Sequence, residues 1–288
     1  MRTFKKELIL FTGLLGFIIL IMNVMGAAYG TRMLVEASCY AIIALGLTIQ
    51  WGYAGLFNAG ILGFIAMGGF ITTLFSYPVN AEFWDSALPA DLGAVFLKLL
   101  IGIALIWGSL KLTRFGVTVK WQRIITIMLI AVVYILFMYS LDPVANAIES
   151  EMGFIGGFGL PVWLGWLVGG LVAGAIAYFV GHICLGLRSD YLAIATLGIA
   201  EIIKAFLKNA DWLTHGTLTV SPLPWMTPGP AEIGFELARA AYLSITALLI
   251  AIIFFLLNRA YNAPWGRMLR AIRDNEVSAL AMGKDVNR

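Results

Sequence analysis

Along the chain, long apolar runs alternate with short polar connections. Runs long enough to cross ~30 Å of hydrocarbon at ~1.5 Å per helical residue lie near residues 8–25, 33–50, 56–76, 93–110, 124–141, 160–183, 190–207 and 239–258. The pattern predicts an all-α fold, a polytopic transmembrane helical bundle of about eight crossings. The last stretch, PWGRMLRAIRDNEVSALAMGKDVNR at 264–288, breaks the pattern because it is too polar to span. Trp265, Met268, Leu269, Ile272, Ala279 and Leu280 fall at helical spacing on one face, while Arg267, Arg270 and Arg273 point elsewhere, which predicts a basic amphipathic helix. Asp274 or Asn275 is placed to cap a second short helix running to Met282, with Glu276 in its first turn and Gly283 as its stop. Taken alone, this knuckle reads as a juxtamembrane helix whose arginines bind anionic lipid and fix topology.

Charge then orients the crossings. Arg2, Lys5 and Lys6 precede the first run, Lys111, Arg114, Lys120 and Arg123 follow the fourth, Arg188 follows the sixth, and Arg259 with the terminal arginines follows the eighth. The alternate connections hold Glu82, Asp85, Asp91, Asp142, Glu149, Glu151, Asp211, Glu232 and Glu236. The positive-inside bias therefore predicts both ends in the cytoplasm, with the segment 261–288 cytoplasmic. Composition agrees: 61% hydrophobic and 12% charged residues lie far from a soluble domain, and a net charge of +3 dispersed in short clusters excludes a nucleic-acid stripe. Cys39 and Cys184 sit inside apolar runs, which argues against a disulfide framework. No small-residue cleavage site follows the first run, so it reads as a retained helix.

Two runs are unlike simple anchors. Residues 50–70, QWGYAGLFNAGILGFIAMGGF, carry Gly at 52, 55, 60, 63, 68 and 69, with Gln50 and Asn58 near membrane depth. Close helix packing explains glycines at that density; a broken or re-entrant helix beside a substrate path is the other reading for Asn58 and its neighbours. Residues 187–208 place Glu201 and Lys204 three apart in an apolar run, either as a self-neutralising pair near the membrane surface or as part of a pathway. Ser189 or Asp190 is the natural N-cap of that helix. Gly165, Gly169, Gly170 and Gly174 read as helix packing.

Catalytic chemistry is missing from the sequence. There is no phosphate-binding G-x-x-x-x-G-K-[ST], no G-x-S-x-G and no H-E-x-x-H, and His182 and His215 stand alone. The expectation is a protein that is not an enzyme and holds no metal or cofactor, with any ATP hydrolysed by a partner.

Three stretches carry a resemblance. ALGLTIQWGYAGLFNAGILGFIAMGGF at 44–70 is similar to a glycine-rich signature L-x-L-x-x-G-Y-x-G-x-x-x-x-G. LRSDYLAIATLGIAEIIK at 187–204 resembles L-R-G-D-Y-x-A-x-x-T-L-G-x-x-E-I-x-R, and PWGRMLRAIRDNEVSALAMG at 264–283 resembles a coupling loop. In this order they resemble permease subunits of ATP-driven (ABC) importers of the branched-chain amino acid type, a family that includes urea and amide permeases. The resemblance implies a single permease domain over 1–288 in the cell inner membrane. It also implies a homologous second permease subunit, two ATP-binding cassette ATPase subunits and a periplasmic substrate-binding protein as partners, beside membrane lipid. The knuckle then becomes the coupling element, through Gly266, Arg270, Arg273, Glu276, Ala279 and Gly283, and the substrate path runs near Asn58, Gly68, Thr196, Gly198 and Glu201. The chain departs from the family in reading LTHGTLTVSPLPWMTPGP where a Gly-Gly-x-x-Gly loop is usual, and in ending before the further spans that the resemblance leads one to expect. A urea or amide permease, an ion-coupled secondary transporter relaying through Glu201, and an inactive fragment are the alternatives.

Overall fold

A computed structural model of the chain describes residues 2–115, 117–184, 186–187, 189–218, 220–275, 279 and 282–283. The principal helices are α1 (Arg2–Met25), α2 (Ala27–Leu47), α3 (Ile61–Ser76), α4 (Ala81–Trp84), α5 (Leu88–Ser109), α6 (Val119–Met152) and α7 (Val162–Cys184). They are followed by α8 (Ser189–Asn209), α9 (Asp211–Thr214), α10 (Pro230–Ile233), α11 (Phe235–Asn262) and α12 (Pro264–Asp274). Among the described residues the only extended pairing is a single bridge between Val79 and Gly156. The fold is all-α and polytopic. Each apolar run predicted above is helical over most of its length, and among the described residues six helices are long and apolar enough to cross a membrane. α3 is shorter, at 16 residues, and α8 carries Glu201, Lys204 and Lys208.

The glycine-rich run is a broken helix. α2 widens at its end into a π-helical turn, Thr48–Tyr53, the chain unwinds over 54–60, and α3 restarts at Ile61. The N–H of Leu56 bonds back to the carbonyl of Gln50 at 3.0 Å and that of Gly55 to Trp51 at 3.2 Å, so the winding loosens before it stops. Non-helical backbone of this kind is tolerated at membrane depth only where protein covers it or where it lines a water-filled cavity.

The chain divides into two compact units. In the first (Met1–Gly68, Gly169–Ile203, Pro224–Arg288), α2 and α11 pack in parallel. Arg239 of α11 donates to the carbonyl of Ala28 at 2.7 Å, Ser38 meets Thr246 at 2.9 Å, and the rings of Tyr53 and Tyr261 lie 4.9 Å apart. The partners advance together along both helices, which requires that the two run in the same direction. A second cluster joins Val180 and Cys184 of α7 to Leu192 of α8, with Leu56 and Phe64 packed on it.

In the second unit (Gly69–Val168, Lys204–Leu223), α5 and α6 are antiparallel. Ser109 pairs with Thr126 at 2.9 Å near one end and Lys98 reaches Ser140 at 3.5 Å toward the other. The sequence ended the fifth run at 141 and put 142–151 in a loop, but α6 continues to Met152. Leu141, Ala145 and Ile148 supply the reason: they bury one helical face against Phe83, Val95 and Trp212. Pro143 within α6 removes one backbone donor without ending the helix. At 34 residues, α6 is roughly 51 Å long and outruns the hydrocarbon. Glu149 on this extension accepts a 3.1 Å bond from the backbone N–H of Trp212, at the start of α9.

Candidate functional site

The site is built around the elbow where α11 gives way to α12. Asn262 ends α11, Ala263 is extended, and Pro264 opens α12, where its missing N–H removes no helical bond. The last carbonyls of α11 have no partner within their own helix, and cationic side chains suit that negative helix end. Arg267 and Arg270 fill the role. Arg267 donates to the carbonyl of Asn262 at 3.2 Å. Arg270 donates from Nη2 to Tyr261 and from Nε to Gly266, both at 3.2 Å, with its guanidinium 4.0 Å over the Tyr261 ring. Gly266 is buried in the bend, and a Cβ there would lie 2.6 Å from the carbonyl oxygen of Ala260 and collide with that of Tyr261. Only glycine lets the two helices turn so tightly.

Arg273, in the last turn of α12, reaches a different element. Its Nη1 donates to the carbonyl of Gly52 at 2.8 Å, while Nε and Nη2 hold Asp274 at 3.0 and 2.9 Å. Its alkyl stem lies over Gly55, whose φ of +73° favours glycine, and where an added Cβ would sit 2.5 Å from Arg273 Cγ. The loosened end of α2 is thus fastened to the terminal helix. Leu45, Thr48, Phe254, Leu257, Asn258 and Tyr261 line a cavity of about 370 Å³ beside this contact.

The candidate path residues separate into groups. Asn58 Oδ1 accepts the N–H of Gly60 at 2.8 Å, closing an Asx turn just before α3. A Cβ on Gly60 would stand 2.5 Å from the carbonyl oxygen of Thr196, and Gly63 is packed equally closely on Ala200. Thr196 is buried on the α8 face that meets α3, its hydroxyl bonded to Ala193 at 3.1 Å. Gly68 packs against Gly169 and Ala173 of α7. Gly198 and Glu201 lie on the opposite face of α8 from Thr196; both are exposed, and a Cβ on Gly198 would meet open space. The chain therefore brings Asn58 and Thr196 together through Gly60 but does not bring Gly198 and Glu201 to them.

Of the residues assigned to coupling, Gly266 and Arg270 form the elbow, and Arg273, itself exposed, bonds to the carbonyl of Gly52. Trp265, placed by spacing on the apolar face, is 46% exposed, whereas Met268, Leu269 and Ile272 are half-buried. Of the second helix expected after α12, the described residues include Asn275, which is extended and whose carbonyl accepts the N–H of Ala279 at 3.0 Å, the buried Ala279, and Gly283 at φ +73°. Glu276 and Leu280 lie outside the described residues, as do the side chains of Ser189 and Asp190. Sequence reasoning missed Gly52, Gly55 and Tyr261. The glycines were visible as a dense stretch, but a carbonyl acceptor has no signature in residue type.

With this geometry in hand, the chain matches the family described as branched-chain amino acid transport system / permease component, over residues 29–154 and 126–288. It is 30% identical over 155 residues to the high-affinity branched-chain amino acid transport system permease protein LivM of Escherichia coli (strain K12), covering 46% of this chain and 36% of that protein. The LivM of Salmonella typhimurium matches to the same extent. A probable branched-chain amino acid transport permease protein LivM from Methanocaldococcus jannaschii is 25% identical over 259 residues, 86% of this chain and 57% of that relative. The chain thus spans little more than a third of the bacterial relatives' length and just over half of the archaeal one's. No solved structure matches it.

Proposed function

The chain belongs to the family of permease components of branched-chain amino acid transport systems, and on that premise we propose that it is the membrane-spanning permease subunit of an ATP-driven importer of branched-chain or other hydrophobic amino acids. It works in the cell inner membrane as one permease domain, beside a homologous second permease, two ATPase subunits on the cytoplasmic face and a periplasmic substrate-binding protein. All eight apolar runs cross the bilayer, and both ends are cytoplasmic. The parallel pairing of α2 with α11 supports this, because an alternating chain makes its second and eighth spans run the same way.

The observation that carries the reading is the elbow. A coupling element must convert movement of a docked partner into movement of the bundle, and a helix joined by a slack linker transmits nothing. Here α12 is locked to α11 by a glycine contact and two arginine caps, as rigid-body transmission requires. Trp265 and Arg267 are exposed on α12 and form the docking face for the ATPase. Polar and small groups at Asn58, Gly60 and Thr196 border the path of a small zwitterion on this subunit. Gly198 and Glu201 present their face of α8 to the second permease. The test is to tag the chain in its native host, isolate it with mild detergent, and assay [14C]leucine uptake in a deletion strain. Recovery of an ATPase with the chain, and leucine uptake that depends on both, supports the importer; uptake that survives ATP depletion under a proton gradient refutes it.

A further inference from the structure

Resting on that reading, we propose that Arg273 is a positioning residue which carries movement of α12 into the break between α2 and α3, and through Asn58 and Gly60 to the backbone of α8 at Thr196. Each link is on the structure. The elbow fixes the angle of α12 to α11, and Arg273 stands nine residues beyond Pro264, so when α11 and α12 tilt as one body the guanidinium swings on a lever of roughly 13 Å. The guanidinium ends on the carbonyl of Gly52 at 2.8 Å.

A directional hydrogen bond resists both separation and approach, whereas an apolar contact lets surfaces slide. The acceptor lies in the π-helical turn, where the regular bonding of α2 is already loosened, so force arrives where the helix yields most readily. Gly55 keeps the stem of Arg273 seated, since its φ of +73° and the absence of a Cβ leave the room which the stem fills. Beyond the break, the Asx turn of Asn58 fixes Gly60, and Gly60 touches the Thr196 carbonyl too closely for any side chain to intervene. Thr196 is buried on that face, so a shift at Gly60 displaces the α8 backbone itself. The outer face of α8, with Gly198 and Glu201, moves with it.

The experiment uses the full chain reconstituted in nanodiscs with its co-purified subunits, and reads amide hydrogen exchange over 50–60 together with leucine imported per ATP hydrolysed in proteoliposomes. Arg273→Met keeps the stem and removes the donor. It should raise exchange at 54–56 at least tenfold and cut the leucine-to-ATP ratio at least fivefold, with ATPase subunits still bound. Arg273→Lys, which retains one donor on a long stem, should recover most of both. Gly55→Ala should reproduce the exchange change by unseating the stem, and Arg32→Met, on the exposed Arg32–Glu36 pair of α2, should leave exchange at parent level. Exchange within twofold of parent in both Arg273→Met and Gly55→Ala overturns the proposal, as does raised exchange with an unchanged leucine-to-ATP ratio. Failure of the importer reading shows separately, as no ATPase bound to the parent chain.

Discussion

The hydroxyls of Ser38 and Thr246 meet at 2.9 Å between α2 and α11, both buried and more than two hundred residues apart in the chain. Each hydroxyl also reaches a carbonyl of its own helix, Ser38 that of Val35 at 2.7 Å and Thr246 that of Leu243 at 3.0 Å, and the contact between them ties the register of two parallel helices. Hydrogen bonds between membrane helices average about 0.6 kcal/mol in coupling. Ser38→Ala and Thr246→Val should each destabilise the purified protein by about 1 kcal/mol. The double variant should fall short of additivity by about 0.6 kcal/mol, measured by denaturant titration in mixed micelles. Full additivity would show that the pair does not hold the register.

The orientation proposed for the crossings predicts labelling. Cysteines placed in 111–123 or 261–288 should resist a membrane-impermeant maleimide in intact cells, and cysteines in 77–91 or 209–236 should react. Positions 149 and 151, on the outer extension of α6, should behave like the second group. Labelling at both ends of α6 to the same extent would break the alternation.

At the elbow, Gly266→Ala puts a methyl group against the carbonyl oxygens of Ala260 and Tyr261. Overpacking of this kind costs about 1–3 kcal/mol, and the backbone cannot retreat as a flexible side chain would. The melting temperature in detergent should fall and ATPase co-purification with it. An unchanged melting temperature would mean the bend is looser than these contacts imply.

Two glycines of the candidate path should respond oppositely. Gly60→Val drives a branched side chain into the Thr196 carbonyl and should reduce the amount of folded protein in the membrane. Gly198→Leu enters open space and should leave the folded amount and melting temperature near parent values while abolishing leucine uptake, if, as proposed, its face of α8 is the one that packs on the second permease. Normal uptake in Gly198→Leu would remove that face from the path.

The sequence by itself determined the membrane class, the approximate positions of the apolar helices and the amphipathic helix of 264–274, and it offered the break near Asn58 as one of two readings. These follow from local properties: run length against bilayer thickness, glycine density, and the spacing of Trp265, Met268, Leu269 and Ile272. Where α6 ends was not local, since Leu141, Ala145 and Ile148 continue the helix only because Phe83, Val95 and Trp212 cover them. Nor was the work of the arginines. As residue types, Arg267, Arg270 and Arg273 promise a charged surface for lipid or a partner, yet two of them cap the end of α11 and the third holds the carbonyl of Gly52. The spacing of side chains says which residues share a face, but a backbone carbonyl left unpaired at a helix end draws its donor from whichever segment the fold brings within hydrogen-bond reach, about 3.2 Å or less. Only the tertiary structure decides that.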